Sequence, residues 1–275
     1  MRVLITGGRG NLASMIKNNL SSIFDIINPS HSELDLTDCN ALSTFLEKNG
    51  DFDILVHTAI LGGRRTKSEN YDIVFKNLLM IENILKFSDK FKMIINFDSA
   101  AIYDRSTDIL NRKEEDMYTV PNDYYGFSKY VIYKRSLQYS HFYNLRVFNI
   151  FHVNEEPDRF IKSCFLSKKN NTKVTIFNDK YFDFVYETDF IKIIHHYFSN
   201  AMTQDTLEKT LNICYEKKYT LSQIANKIVP PENVEIIDTA LTYNYSGDNT
   251  KLKNMHIELD GLEKSLLLYQ ENLVL

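Results

Sequence analysis

The sequence predicts an α/β protein built on a doubly wound parallel sheet, with a smaller C-terminal lobe after it. Three observations carry that expectation. Short β-branched runs alternate with longer stretches of helical periodicity through the first 150 residues. A glycine-rich turn, Thr6-Gly7-Gly8-Arg9-Gly10-Asn11-Leu12-Ala13, stands directly between the first such run and the first helical stretch. The composition is that of an ordinary folded chain: 275 residues, 44% hydrophobic and 25% charged, leave ample apolar material for a core.

Taken in order, Arg2–Ile5 is a strand and Asn11–Leu20 a helix opened by the glycine turn. Asp25–Asn28 reads as a second strand, Ala41–Lys48 as a helix and Asp53–His57 as a third strand. Tyr71–Phe87 carries Ile73, Val74, Leu78, Ile81, Ile84 and Leu85 at helical spacing. Phe91–Phe97 is a buried strand, Tyr125–Tyr139 a helix and Asn144–Ile150 another strand. Strands alternating with helices of this length imply parallel pairing through crossover helices on both faces, a Rossmann-type sheet. Beyond this point the pattern weakens. Glu155–Lys168 reads as a loop running into a helix, Lys173–Phe177 and Thr210–Cys214 as strands flanking the helix Thr188–Phe198, Val234–Ile237 as a strand, and Leu262–Leu273 as a closing helix. The expected division is residues 1–150 as a dinucleotide-binding domain, with a return strand from within 173–215, and 151–275 as a substrate-binding lobe.

Charge and composition exclude several classes. Lys and Arg number 32 against 36 Asp and Glu, a net charge of −4, so a basic surface for nucleic acid is not expected. No apolar run approaches the roughly 20 residues that span a bilayer. The N-terminus enters a strand at once, which leaves no room for a signal peptide and predicts a cytoplasmic protein. Cys39, Cys164 and Cys214 are too scattered for a disulfide framework or a zinc site, and no metal is expected. His195-His196 are adjacent on a helix, point different ways and lack ligand spacing.

The glycine turn has a specific chemical use. Gly7 permits the tight turn, Gly10 lets backbone approach a pyrophosphate, and Ala13 allows close helix–strand packing. The helix beginning at Asn11 and Leu12 then presents N–H groups and a partial positive charge to the phosphates. An acidic residue closing the second strand would select NAD; here Ile27-Asn28-Pro29-Ser30-His31 holds no carboxylate before Glu33. Arg9, Ser30 and His31 are therefore expected to meet a 2′-phosphate, which predicts NADPH, with NADH possible. Asp35 and Leu36 fall where an adenine edge would lie, and Asp38 precedes a helical run as an N-cap would.

Tyr125-Gly126-Phe127-Ser128-Lys129 puts a phenol and an ammonium four residues apart on one helix face. A tyrosine pKa near 10 is too high for proton traffic at neutral pH, and a neighbouring ammonium lowers it. Tyr125 is thus the candidate general acid, Lys129 its activator and a holder of the nicotinamide ribose, and Ser99, at the end of the fourth strand, the hydrogen-bond partner of the same substrate oxygen.

These motifs resemble the extended short-chain dehydrogenase/reductases that act on nucleotide sugars, with the pattern of the GDP-L-fucose synthases, and the likeness covers most of the first 150 residues. The resemblance matches the glycine turn, Glu33-Leu34-Asp35-Leu36, the loop His57-Thr58-Ala59-Ile60-Leu61-Gly62-Gly63, Asn77, Ser99, Tyr125 and Lys129. It extends to Arg146-Val147-Phe148-Asn149, whose asparagine it places near substrate and nicotinamide, and to Asp183–Asp189. It implies Thr58 and Ala59 as cofactor contacts, and Ser99, Asn149, Arg159, Phe177 and Lys180 as substrate contacts.

The departures from that family's pattern narrow the expectation. Its 3,5-epimerisation uses a cysteine two residues past the serine and a histidine before a later helix. Ala101 and Arg159 stand at those positions: one carries no proton and the other stays protonated, and His152 is displaced from the role. An arginine expected before Asp183 is replaced by Phe182, leaving Arg159, Lys180 or Arg64-Arg65 to meet a diphosphate. The resemblance therefore implies an NADPH-dependent C4-ketoreductase of a GDP-linked 4-keto-6-deoxy hexose or heptose, in surface-polysaccharide sugar synthesis. The alternatives are an NAD-dependent 4-epimerase and a non-catalytic, cofactor-sensing relative. Apolar helices around Ile73–Leu85 and Val131–Leu137 suggest a homodimer.

Overall fold

The computed structural model describes residues 1–63, 68–203, 207–238 and 242–273. The chain forms two compact units that interleave in sequence. The first takes Met1–Asp104, Met117–Arg146 and Ile193–Leu211; the second takes Arg105–Asp116, Val147–Lys192 and Asn212–Leu275. The chain thus passes between the units at more places than the expected boundary at 150 and return strand from within 173–215 provide.

The first unit holds β1 (Arg2–Thr6), α1 (Asn11–Leu20), β2 (Asp25–Ile27), α2 (Cys39–Asn49), β3 (Ile54–His57), α3 (Tyr71–Leu85) and β4 (Met93–Ser99). Its sheet has six strands; with β5 (Ile109–Arg112) and α4 (Tyr124–Ser136) intervening in sequence, the remaining two are β6 (Phe142–Val147) and, much later, β10 (Thr210–Ile213). The order is β10-β6-β4-β3-β1-β2, and β1 pairs in parallel with both β2 and β3, as β3 does with β4. Chain progression reverses at β1, so the edge between β1 and β3 is the topological switch point where such sheets bind ligands. The return strand β10 is the one expected from within 173–215.

Strands with both faces covered read as continuous apolar runs, and here Val3, Leu4 and Ile5 of β1 and Ile54, Leu55 and Val56 of β3 are wholly buried. Alternate residues then serve opposite faces. Leu4, Leu55 and Ile94 join one core with Leu42 and Leu46 of α2, Ile81, Ile84 and Leu85 of α3, and Ile132 of α4. Phe24 meets Phe198 edge-on at 5.2 Å and His195 at 5.8 Å, which accounts for one of the paired histidines as a packing residue.

The second unit contains β5, β7 (Ile150–Phe151), α5 (Phe160–Asn170), β8 (Val174–Asn178), β9 (Val185–Tyr186), the opening part of α6 (Glu187–Ser199), α7 (Leu221–Ala225), β11 (Val234–Asp238), β12 (Tyr245–Gly247), α8 (Thr250–Asn254) and α9 (Gly261–Asn272). Its strands form three parallel pairs, β8 with β11, β5 with β12, and β7 with β9. The single strand expected over Asn144–Ile150 is two: β6 ends at Val147, and Ile150 pairs with Val185 of β9 instead. The break falls where the chain leaves the first unit. Two buried carboxylates clip this unit together. Asp183 accepts from the Lys218 ammonium and the Gly247 amide, both at 2.8 Å. Asp189 accepts from the Tyr215 hydroxyl at 2.7 Å and from the amides of Asp260 and Gly261 that open α9. No helix among the described residues is long and apolar enough to cross a membrane, and none of their His, Cys, Asp and Glu side chains form a metal-binding group.

Candidate functional site

The glycine turn lies at the switch point. Gly7 has φ +73°, and a Cβ there would come within 3.0 Å of the Ala59 backbone and the Thr58 hydroxyl, so only glycine lets the turn lie against the segment after β3. Thr6 ties the same two segments: its hydroxyl is 3.0 Å from His57 Nδ1, and its carbonyl accepts from Thr58 Oγ1 at 2.6 Å. Gly10 is the N-cap of α1 and supplies no side-chain acceptor, and the first turn holds no acidic residue. The opening N–H groups of α1 thus have no side-chain cap, an arrangement suited to a diphosphate.

Just past β2, Ser30 is bonded within its own turn. Glu33 folds back so that one carboxylate oxygen accepts both the Ser30 amide and the Ser30 hydroxyl at 2.7 Å. The Ser30 amide and hydroxyl are thus both engaged by this carboxylate. The Ser30 bonds hold the Glu33 carboxyl below its usual range, with Arg9 adding a smaller electrostatic contribution. His31 is exposed, with Nδ1 3.8 Å from the Asp35 carboxylate. Asp35 accepts from the Thr37 hydroxyl at 2.7 Å, Leu36 buries its side chain in the core, and Asp38 caps α2 as expected.

Ser99, Tyr125 and Lys129 all fall in the first unit. Ser99 ends β4, and its hydroxyl accepts the Ala101 amide at 3.2 Å. Tyr125 lies in the first turn of α4, whose N-cap Asp123 accepts the Gly126 amide at 2.8 Å. Lys129, one helical turn on, is buried; it donates to the Phe97 carbonyl at 2.5 Å and holds its ammonium 5.8 Å from the centre of the Tyr125 ring. Burial pushes the Lys129 ammonium down to about 8, with the Asp98 carboxylate working against it. His57, buried and near that ammonium, is pushed down to about 3 and stays neutral.

A layer of residues that sequence reasoning did not single out for this role surrounds the three. Asp98 forms an ion pair with Arg146 at 2.9 Å, both side chains fully buried, and its other oxygen accepts the Ser99 amide at 2.8 Å. Arg146 also donates to the Tyr103 hydroxyl at 2.5 Å and lies over the rings of Tyr103 and Tyr133. Burial opposes its charge, yet Tyr103 and Asp98 outweigh burial and push its pKa up. Asn77, fully buried on α3, bonds both the amide and the carbonyl of Leu61 and donates to Ser128 Oγ at 3.1 Å, which in turn donates to the Tyr125 carbonyl at 2.8 Å. Asn96, Asn144 and Ser136 form a buried chain joining β4, β6 and α4.

Asn149, Arg159, Phe177 and Lys180 belong to the second unit. Arg159 is the N-cap of α5 and donates to Asn149 Oδ1 at 3.1 Å, with its Nε 3.9 Å from the Glu155 carboxylate. Burial pushes Glu155 up to about 7, opposed by Arg159 and Lys162. Phe177 is exposed on β8, and the Lys180 ammonium lies 5.9 Å from the Phe182 ring. Phe182 itself belongs to an aromatic row, 4.9 Å from Phe184 and 5.1 Å from Tyr245. Ala101 is buried in the turn after β4, and Cys164 is buried in α5. Arg64 and Arg65 lie outside the described residues.

Comparison with known proteins bears on the fold. No curated protein matches the chain. Among solved structures, a GDP-mannoheptose C4 reductase from Campylobacter jejuni with NADP bound superposes with TM-score 0.77 at 18% identity, covering 98% of each chain. The Bordetella bronchiseptica enzyme WbmG in complex with NAD gives TM-score 0.80 at 17% identity over 98% of this chain and 93% of its own. A GDP-L-fucose synthetase from Naegleria fowleri gives TM-score 0.76 at 17% identity over 98% and 94%. At these identities the likeness concerns the fold. The family model described as NAD dependent epimerase/dehydratase matches residues 3–214, and the chain belongs to that family of nucleotide-cofactor oxidoreductases.

Proposed function

We propose that the protein is an NADPH-dependent C4-ketoreductase of a GDP-linked 4-keto-6-deoxy sugar. The observation that carries this reading is the fixed position of Lys129: buried, bonded to the Phe97 carbonyl and held beside the Tyr125 ring. NADPH, when bound, supplies the hydride that reduces the ketone carbon. Gly7, Gly10, Asn11 and Leu12 would hold its diphosphate, Arg9 its 2′-phosphate, and Asp35, Leu36, Thr58 and Ala59 its adenosine half. Tyr125 Oη gives its proton to the oxygen of the developing alkoxide, completing the alcohol, while Ser99 donates a hydrogen bond to that oxygen. The Lys129 ammonium favours the phenolate left behind. Asn149, Arg159, Phe177 and Lys180 are assigned to the sugar nucleotide. Ala101 brings only a methyl group, and a guanidinium at Arg159 retains its proton, so C3 and C5 have no evident base. The half-buried Ile73, Val74 and Leu78 and the exposed Phe75 on α3, with Val131 and Leu137 from the α4 segment, are assigned to a homodimer contact.

The test is NADPH oxidation with a GDP-4-keto-6-deoxy sugar in deuterated water, followed by product mass. Oxidation with no solvent deuterium at C3 or C5 supports a pure 4-reductase; deuterium there would mean that epimerisation survives. One observation favours a second reading, an NAD-dependent 4-epimerase: the Glu33 carboxylate at the end of β2 suits a ribose 2′-hydroxyl better than a 2′-phosphate. That reading requires NAD⁺ tightly bound on purification and no net NADPH consumption.

A further inference from the structure

We propose that Glu69 is a positioning residue for Tyr125, an inference that rests on the reductase reading above. Glu69 precedes α3 in sequence and contributes to none of the motifs, yet its carboxylate bridges two segments. Oε1 accepts the Gly63 amide at 2.6 Å and Oε2 accepts the Tyr125 amide at 3.2 Å. Gly63 has φ +82°, and a Cβ built on it would lie 3.0 Å from Cε2 and Cζ of Tyr125, so this backbone lies against the phenol ring at its hydroxyl-bearing carbon. One carboxylate therefore fixes both the amide that carries the tyrosine and the strand of backbone that flanks its ring.

The second half of the arrangement comes from Asn77. It holds Leu61, two residues before Gly63, through both main-chain groups, and reaches the Tyr125 carbonyl through Ser128. The tyrosine main chain is gripped at both ends, its N–H by Glu69 and its C=O by Ser128, and both grips trace back to the loop that follows β3. Glu69 also takes one of the helix-opening amides of α4, the next being taken by Asp123. A carboxylate at that place complements the positive end of the helix. An ordinary N-cap needs only Asp123; the second carboxylate, 56 positions away in sequence, ties the helix to the loop against the ring. Orientation of a proton donor at this level matters because a misplacement near 1 Å costs on the order of a hundredfold in rate.

The experiment compares wild type, Glu69→Ala, Glu69→Gln and Tyr125→Phe in steady-state NADPH oxidation with a GDP-4-keto-6-deoxy sugar, beside NADPH binding and amide hydrogen exchange of peptides covering 60–63 and 121–129. Glu69→Ala is expected to lower kcat by about tenfold to a hundredfold, with KM for NADPH and cofactor affinity within about twofold, and to speed exchange in both peptides. Glu69→Gln retains one acceptor oxygen and is expected to fall between wild type and alanine. Unchanged kcat in Glu69→Ala, or a loss of cofactor affinity that parallels the loss of kcat, overturns the proposal. If wild type does not oxidise NADPH with the sugar, the reductase reading fails by itself. The exchange data then still decide the clamp: unaltered exchange in both peptides would overturn it too.

Discussion

Replacing Asp98 by Asn separates two jobs that one carboxylate performs. Asn keeps an oxygen for the Ser99 amide, so the backbone at the end of β4 retains its acceptor, but the charge facing Arg146 disappears. Worse, the new amide can turn only an N–H₂ toward the guanidinium if its oxygen stays on Ser99. Removing one partner of a buried pair leaves the other charge without compensation, which costs about 3–5 kcal/mol. The guanidinium retains the Tyr103 hydroxyl and the faces of Tyr103 and Tyr133, at 4.6 and 5.2 Å, so the lower end is expected, about 3 kcal/mol. At about 2–4 °C per kcal/mol for a chain of this size, the melting midpoint should fall by about 6–12 °C. Circular dichroism melts read this directly. Adding Arg146→Met to Asp98→Asn removes the stranded charge and should recover most of the loss. An Asp98→Asn variant melting within about 2 °C of wild type, or a double variant as unstable as the sum of the singles, would refute the reasoning. The same substitution has a catalytic signature. Asp98 is the charge that opposes burial at Lys129, so its loss should push that ammonium below about 8 and move the alkaline limb of turnover to lower pH.

Three further outcomes follow from the same geometry. Tyr125→Phe should remove most turnover while NADPH binding stays within about twofold, since the hydroxyl is absent but the ring against Gly63 remains; near-normal turnover would sink the assignment of the proton donor. In wild type, turnover should decline above about pH 8 as Lys129 loses its proton, and a profile flat to pH 10 would contradict that role. His57, at about 3 when folded and near 6.5 when unfolded, lets the unfolded chain bind its proton first, so this group removes up to about 1.4 kcal/mol of stability per pH unit as pH falls through that window. Glu155, held at about 7, acts in the opposite sense between about 4.5 and 7, so the readout is the difference between His57→Asn and wild type in urea midpoints: it should shift in favour of the variant from pH 6.5 to 4, and a constant difference would reject it.

The parts legible in the sequence are those whose chemistry sits in adjacent residues. The turn Gly7–Gly10 and the pair Tyr125 and Lys129 each lie within a single strand-to-helix turn or a single helical turn, so spacing alone brings their groups together. The parallel α/β class of the sheet followed from the alternation of β-branched runs and helices, whereas the order of its strands came from the structure. The second unit was less legible because its strands are two to five residues long and pair with distant partners, β5 with β12 across more than a hundred residues. Short pairs of that kind leave no periodicity to read.

What the sequence left without a stated partner is of one kind: Glu69 and Asp98, and with them Glu33, Asn77 and Arg146, which the resemblance matched by position only, are ordinary polar residues whose meaning depends on a partner brought up by folding. Glu33 is the sharpest case. Read along the chain it comes too late to close β2, and its absence from that strand pointed to NADPH. The turn Ser30–Glu33 brings the carboxylate back to the strand end, because the Ser30 amide and hydroxyl offer it two donors at once. On the proposed reading, cofactor choice would rest on a competition between the Arg9 guanidinium, which would attract a 2′-phosphate, and a Glu33 charge whose two serine bonds disperse it. A carboxylate already engaged by two donors repels a phosphate less than a bare one and accepts a ribose hydroxyl less readily. On the reductase reading that balance leaves NADPH the expected cofactor and NADH usable, through a contact between residues three apart; the epimerase reading needs the Glu33 carboxylate to accept the ribose hydroxyl in spite of those two bonds.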